Sequence, residues 1–82
     1  MELKLRNGKI RVFRENVKEE DLIWHRDLKD RSLHVLEGHG WQLQIDNEHP
    51  MDLLEGHSYN IIKNEYHRLI KGEGDLVIRI YE

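Results

Sequence analysis

The 82-residue chain has six histidines and no cysteine, so thiolate metal sites and cysteine nucleophiles are excluded while imidazole and carboxylate ligands are available. His25 and Asp27 stand two residues apart. On an extended strand that spacing sends both side chains off one face, together with Ile23. An imidazole and a carboxylate on one strand, joined by a histidine from another, make the two-histidine, one-carboxylate triad that holds Fe(II) and leaves coordination positions open for substrate and oxygen. His67 is the best third member: Glu65, His67 and Leu69 share one strand face, and Tyr66, Arg68 and Ile70 the other. Without a third ligand, the same pair reads as a buried His–Asp hydrogen bond or as a surface pair.

The remaining histidines read more plainly. His39, His49 and His57 stand beside Gly38, Pro50 and Gly56 and are expected in exposed turns. His34 alternates with Leu33 and Val35 and is expected to face away from them, at a surface or an interface. Trp24 faces opposite to His25, outward and available to a subunit contact, whereas Trp41 is expected to fill the core with Leu43 and Ile45.

Positioning these groups falls to short strands. Residues 3 to 12 alternate on both sides of Asn7-Gly8, a dipeptide suited to a type I′ hairpin. Residues 15 to 21 read as a connector. Strands are then expected at Leu22–Asp27, Leu33–Glu37, Trp41–Ile45, Met51–Leu54, Tyr59–Ile62, Tyr66–Ile70 and Leu76–Ile80, with Gly72-Glu73-Gly74-Asp75 as the turn before the last. Strands so evenly spaced predict an all-β barrel or sandwich in which closure hides the sheet edges.

A single domain over residues 1 to 82 is expected, with a thin core: a chain this short buries only roughly 60–65% of its unfolded surface. With disulfides and thiolate zinc sites excluded, a metal or a second subunit is the expected supplement, and a homodimer is anticipated in which the amino-terminal hairpin adds to a partner's sheet edge. No apolar run approaches the roughly 20 residues that span a bilayer, and Met1-Glu2-Leu3-Lys4 does not start an apolar signal segment; a cytoplasmic protein without membrane association is the expectation. A net charge of -3 with interleaved signs argues against nucleic acid as a partner.

Over residues 22 to 81 the spacing resembles the cupin family, whose first motif is HxHxxxE followed by a glycine and whose second runs from a glycine through a Pro-x-Gly turn to a histidine and an asparagine. His25 and Gly38 match the ends of the first motif, Gly56 and His67 the opening glycine and histidine of the second. The chain departs from the pattern at Asp27 for the second histidine, Arg31 for the glutamate, Ile62 and Asn64 for the Pro and Gly of the turn, and Lys71 for the asparagine. Asn64 tolerates the left-handed conformation that the turn requires. The resemblance implies a cupin-type antiparallel β-barrel, or jelly roll, with residues 1 to 14 as an amino-terminal hairpin and 22 to 81 as the cupin core. It also implies a divalent metal (Fe, Mn, Ni or Zn) on His25, Asp27 and His67, with Asp30 a neighbouring carboxylate. Arg31 cannot ligate a metal. Either it receives the carboxylate or phosphate of a small anionic substrate, or it pairs with Asp27 and seals the interior. The first reading leads to a small metal-binding cupin with dioxygenase-like or isomerase-like activity on an organic acid, its catalytic residues unassigned. The second leads to a non-catalytic ligand-binding or structural dimeric cupin without metal.

Overall fold

A computed structural model describes residues 1–18 and 22–82. Glu19, Glu20 and Asp21, which end the expected connector, lie outside the described residues. Eight strands follow one another: β1 (Glu2–Leu5), β2 (Gly8–Phe13), β3 (Arg31–His39), β4 (Gln42–Ile45), β5 (Met51–Asp52), β6 (Ser58–Ile61), β7 (His67–Ile70) and β8 (Glu73–Tyr81). They build two antiparallel sheets, one of five strands in the order β1-β2-β8-β3-β6 and one of three in the order β5-β4-β7. No α-helix occurs among the described residues. The architecture is all-β, as the alternation predicts, in the jelly-roll arrangement that the resemblance implies. Among the described residues, however, the two sheets do not join into a closed barrel and the expected hiding of every edge is not met: β1 stays an edge strand.

Period-2 patterning explains where the core sits. Leu33 and Val35 of β3 and Leu76, Ile78 and Ile80 of β8 are buried on one sheet, and they meet Leu43, Ile45 and Leu69 of the other. Trp41 is fully buried between them, as expected. Its ring centroid lies 6.2 Å from that of Phe13. Its indole N–H donates to the Gly74 carbonyl at 3.2 Å, so the one polar atom of this large side chain is not stranded.

Three local expectations need correction. The first hairpin pairs Leu5 with Gly8, so the turn is Arg6-Asn7, and Asn7 does not take positive φ. The type I′ turn at Asn7-Gly8 therefore does not form. Gly8, with φ of 139°, lies so close to β8 that a Cβ there would overlap the Ile80 carbonyl. Glycine serves strand approach here, not the turn. Second, Leu22–Asp27 is not a strand; its pairing with β7 is one isolated bridge between His25 and His67. Pairing stops there because the chain before His67 turns at Asn64, with φ of 66°, and only the Asn64 N–H reaches back, to the Asp27 carbonyl at 2.7 Å. Third, Glu73 to Asp75 are the start of β8 and not a turn. Register shifts along β3 after Val35 and Glu37 let its far end, at His39, pair with Glu73.

Candidate metal centre

The single bridge does the positioning that a whole strand was expected to do. His25 N–H donates to the His67 carbonyl at 3.0 Å and His67 N–H to the His25 carbonyl at 2.9 Å, which places the two imidazoles side by side with ring centroids 4.3 Å apart. One ligand atom from each of His25, Asp27 and His67 falls within 4.8 Å of the others. His67 is buried, Asp27 is half-buried and His25 is exposed, so the cluster opens to solvent on the His25 side.

Local hydrogen bonds orient both rings. His25 Nδ1 lies 3.0 Å from the Ile23 carbonyl, and His67 Nδ1 lies 2.8 Å from the Glu65 carbonyl. A carbonyl only accepts, so each Nδ1 carries the proton, and in the neutral ring each Nε2 keeps its lone pair. That is the arrangement in which ligating histidines are usually held, the second nitrogen tied to a backbone carbonyl. His67 Nε2 stands 3.3 Å from Asp27 Oδ2, and that oxygen is buried with no hydrogen-bond donor among the described residues. A lone pair facing a carboxylate oxygen at this distance is repulsive unless a proton or a metal ion lies between them.

The residues present therefore fit a divalent ion. Ligand atoms at roughly 2.1 Å from an ion are at most about 4.2 Å apart. The spread of up to 4.8 Å exceeds that by only about 0.6 Å, so a small side-chain shift brings the set into range.

Arg31 lies against the cluster without belonging to its ligand set. Its Nη1 is 3.4 Å from Asp27 Oδ1 and its Nη2 is 3.3 Å from Glu82 Oε1, while its Nε is buried without a partner among the described residues. The guanidinium thus takes one oxygen of Asp27 and leaves Oδ2 to the histidines. Asp30 is not part of the cluster: its Oδ1 accepts the Lys63 N–H at 2.9 Å. His39, His49 and His57 are exposed, and His34 Nδ1 lies 2.8 Å from Ser58 Oγ. Trp24 is 39% exposed beneath the Arg68 guanidinium, which stands 4.9 Å from its ring.

Two further polar residues at the site escaped the sequence reading. Glu82 follows Ile78 and Ile80 at the same two-residue period, so its inward face was readable. Its link to Arg31 was not. Arg11 shares the inward face of β2 with Phe13 and stacks over that ring at 4.5 Å. His25, Asp27 and His67 line a cavity of about 50 Å³ together with Arg11, Phe13, Arg31 and others. At about 10–15 Å³ per water, it takes a few water-sized groups and not a whole organic molecule.

No known family profile matches the chain, and no curated protein matches it by sequence. Solved structures do match. Protein NMB1881 from Neisseria meningitidis superposes with a TM-score of 0.69 at 18% identity, over 99% of this chain and 79% of that one. A cupin-2 domain containing protein from Shewanella frigidimarina superposes with a TM-score of 0.68 at 21% identity, over 96% of this chain and 72% of that one. With two antiparallel sheets around one core and a His-Asp-His cluster where they meet, the chain is a small domain of the cupin fold.

Proposed function

We propose that this chain, as one domain over residues 1–82, is a metal-binding cupin that holds a divalent ion (Fe, Mn, Ni or Zn) through Nε2 of His25, Nε2 of His67 and Oδ2 of Asp27. The observation that carries this reading is the buried Asp27 Oδ2, without a donor among the described residues, facing Nε2 of His67 at 3.3 Å. When bound, such an ion supplies Lewis acidity or oxygen activation at its open positions. The protein's own residues do the rest. Backbone carbonyls of Ile23 and Glu65 fix the rings, and Arg31 holds Asp27 in a one-oxygen geometry. The unpartnered Nε of Arg31 gives the cavity a buried positive donor, which suits the carboxylate or phosphate of a small anionic organic molecule approaching from the His25 side. With a cavity this small, only that head group enters. Dioxygenase-like or isomerase-like chemistry on such an acid is the reaction class we assign to the site.

One observation favours a second reading. The Arg31–Asp27 contact at 3.4 Å neutralises the carboxylate without any metal, as a sealed, non-catalytic barrel would need. Metal content separates the two. Protein purified without a histidine tag is expected to bind one divalent ion per chain, and His25→Ala and His67→Ala are expected to lose it. A wild-type chain that takes up none of Fe(II), Mn(II), Ni(II) or Zn(II) leaves the sealed reading standing.

The reading includes self-association as a homodimer and a cytoplasmic address. No helix of the described residues is long and apolar enough to cross a membrane. Neither membrane nor nucleic acid figures among the proposed partners.

A further inference from the structure

Away from the metal centre, the five-stranded sheet ends in an open strand. β1 pairs with β2 and, among the described residues, with nothing on its other side. All four of its residues are exposed, and Met1, Leu3 and Leu5 are 74, 55 and 38% exposed. An exposed edge strand with one apolar face is a template for pairing with another chain, and its charged residues then decide which partner and register it accepts.

The pairing within the sheet determines what that edge offers. Val12 N–H donates to the Met1 carbonyl at 2.8 Å, and the Met1 amino group donates to the Val12 carbonyl at 3.2 Å. In an antiparallel ladder such exchanges occur at alternate residues. Met1, Leu3 and Leu5 therefore turn their backbone groups toward β2, and Glu2 and Lys4 turn theirs to the open edge. Side chains alternate too: Met1, Leu3 and Leu5 share a face with Ile10 and Val12, whereas Glu2 and Lys4 share the other with Lys9 and Arg11.

We propose that β1 pairs antiparallel with β1 of a second copy, about a twofold axis through Leu3. This rests on the homodimer reading above and names its interface. Residues with edge-facing backbone must oppose each other, so Glu2 and Lys4 can meet only Glu2 or Lys4 of the partner strand. Centring on Glu2 or on Lys4 sets like charges face to face, which is destabilising. Centring on Leu3 sets Glu2 against Lys4 twice, Leu3 against Leu3, and Met1 against Leu5 twice. Every apolar side chain of the strand then meets an apolar one, and every charge meets its opposite.

The fold leaves Lys4 in need of this partner. Within the chain it lies directly across from Lys9, and it makes no ion pair among the described residues. Glu2, in contrast, is already approached by Lys9 at 3.6 Å and Arg11 at 3.9 Å. A second copy's Glu2 beside Lys4 balances that cluster. The result is one continuous ten-stranded sheet with an isologous interface.

Charge reversal tests the register. Wild type is expected to sediment as a dimer, at concentrations up to roughly millimolar because an edge contact of this size is weak. Lys4→Glu and Glu2→Lys each set like charges opposite, and each is expected to dissociate about tenfold more readily. Mixed one to one, the two variants become complementary and are expected to form heterodimers as tightly as wild type, detected by native mass spectrometry. Recovery on mixing also shows that both variants fold. Wild-type dimers that both single variants form equally well overturn the β1 interface while leaving self-association in place. Variants that stay apart when mixed overturn it too, and a monomeric wild type overturns both.

Discussion

Asp27→Asn keeps the shape of the side chain and removes its charge at the one carboxylate shared by Arg31 and His67. The amide oxygen still faces Arg31 Nη1 across the present 3.4 Å, and the amide N–H₂ now faces His67 Nε2 across 3.3 Å. The second contact changes from two acceptors to a donor and an acceptor. Satisfying a buried polar atom in this way contributes about 1 kcal/mol. Against it stands the charge attraction to Arg31, whose gross Coulomb value at that distance is about 5 kcal/mol with an effective dielectric near 20. Burial of the carboxylate offsets most of that, and Glu82, at 3.3 Å, still neutralises the guanidinium. The metal-free variant is expected to match wild type within about 1 kcal/mol, a midpoint shift of at most about 8 °C.

Metal response moves far more. A ligand at 100 times its dissociation constant stabilises by about 2.7 kcal/mol. In a domain of this size that raises the melting midpoint by roughly 10 to 20 °C. Thermal melts of wild type and variant, each with and without Mn(II) or Zn(II), are expected to show this rise in wild type alone. If the variant instead loses more than about 3 kcal/mol without metal yet keeps the metal-induced rise, Asp27 is a structural strut and the ligand argument fails.

Three further substitutions test how the fold positions the centre. Gly8→Ala combines positive φ with overlap onto the Ile80 carbonyl, and is expected to cost about 3 kcal/mol in urea unfolding, whereas a type I′ turn role alone would cost about 1. Trp41→Phe leaves a void between the sheets and strips the Gly74 carbonyl of its donor; a loss of about 2 kcal/mol is expected, with metal stoichiometry unchanged. Asn64→Val places a β-branched residue at a φ of 66° and is expected to cost about 1–2 kcal/mol. Because Asn64 N–H holds the Asp27 carbonyl, the same variant is also expected to weaken metal binding in titration calorimetry, while Asn64→Gly keeps it.

What the sequence discloses about this site, and what it withholds, follows from the range of each interaction. Side-chain facing is local: an i, i+2 spacing aims His25 and Asp27 together whether the backbone forms a long strand or, as here, one bridge flanked by extended residues. The inference thus outlives the wrong element assigned to residues 22–27. Asn64 was legible through the resemblance, which sets it at the glycine of a turn; Asn tolerates the left-handed conformation, and its φ is 66°. Gly8 was misread because its reason lies elsewhere in the chain, in the approach of Ile80 on a strand nearly the whole sequence away. Arg31 belongs to the same class. Its two readings, anion receptor or partner of Asp27, could not be separated along the chain, because the second anchor, Glu82, reaches it only when β3 and β8 pair in the register that sets Ser32 opposite Tyr81. A slip of one residue there would turn Glu82 to the opposite face and leave Arg31 with Asp27 alone. The charge state of the candidate centre is therefore a consequence of strand register, and a variant that disturbs the end of β8 should alter Asp27 without touching it.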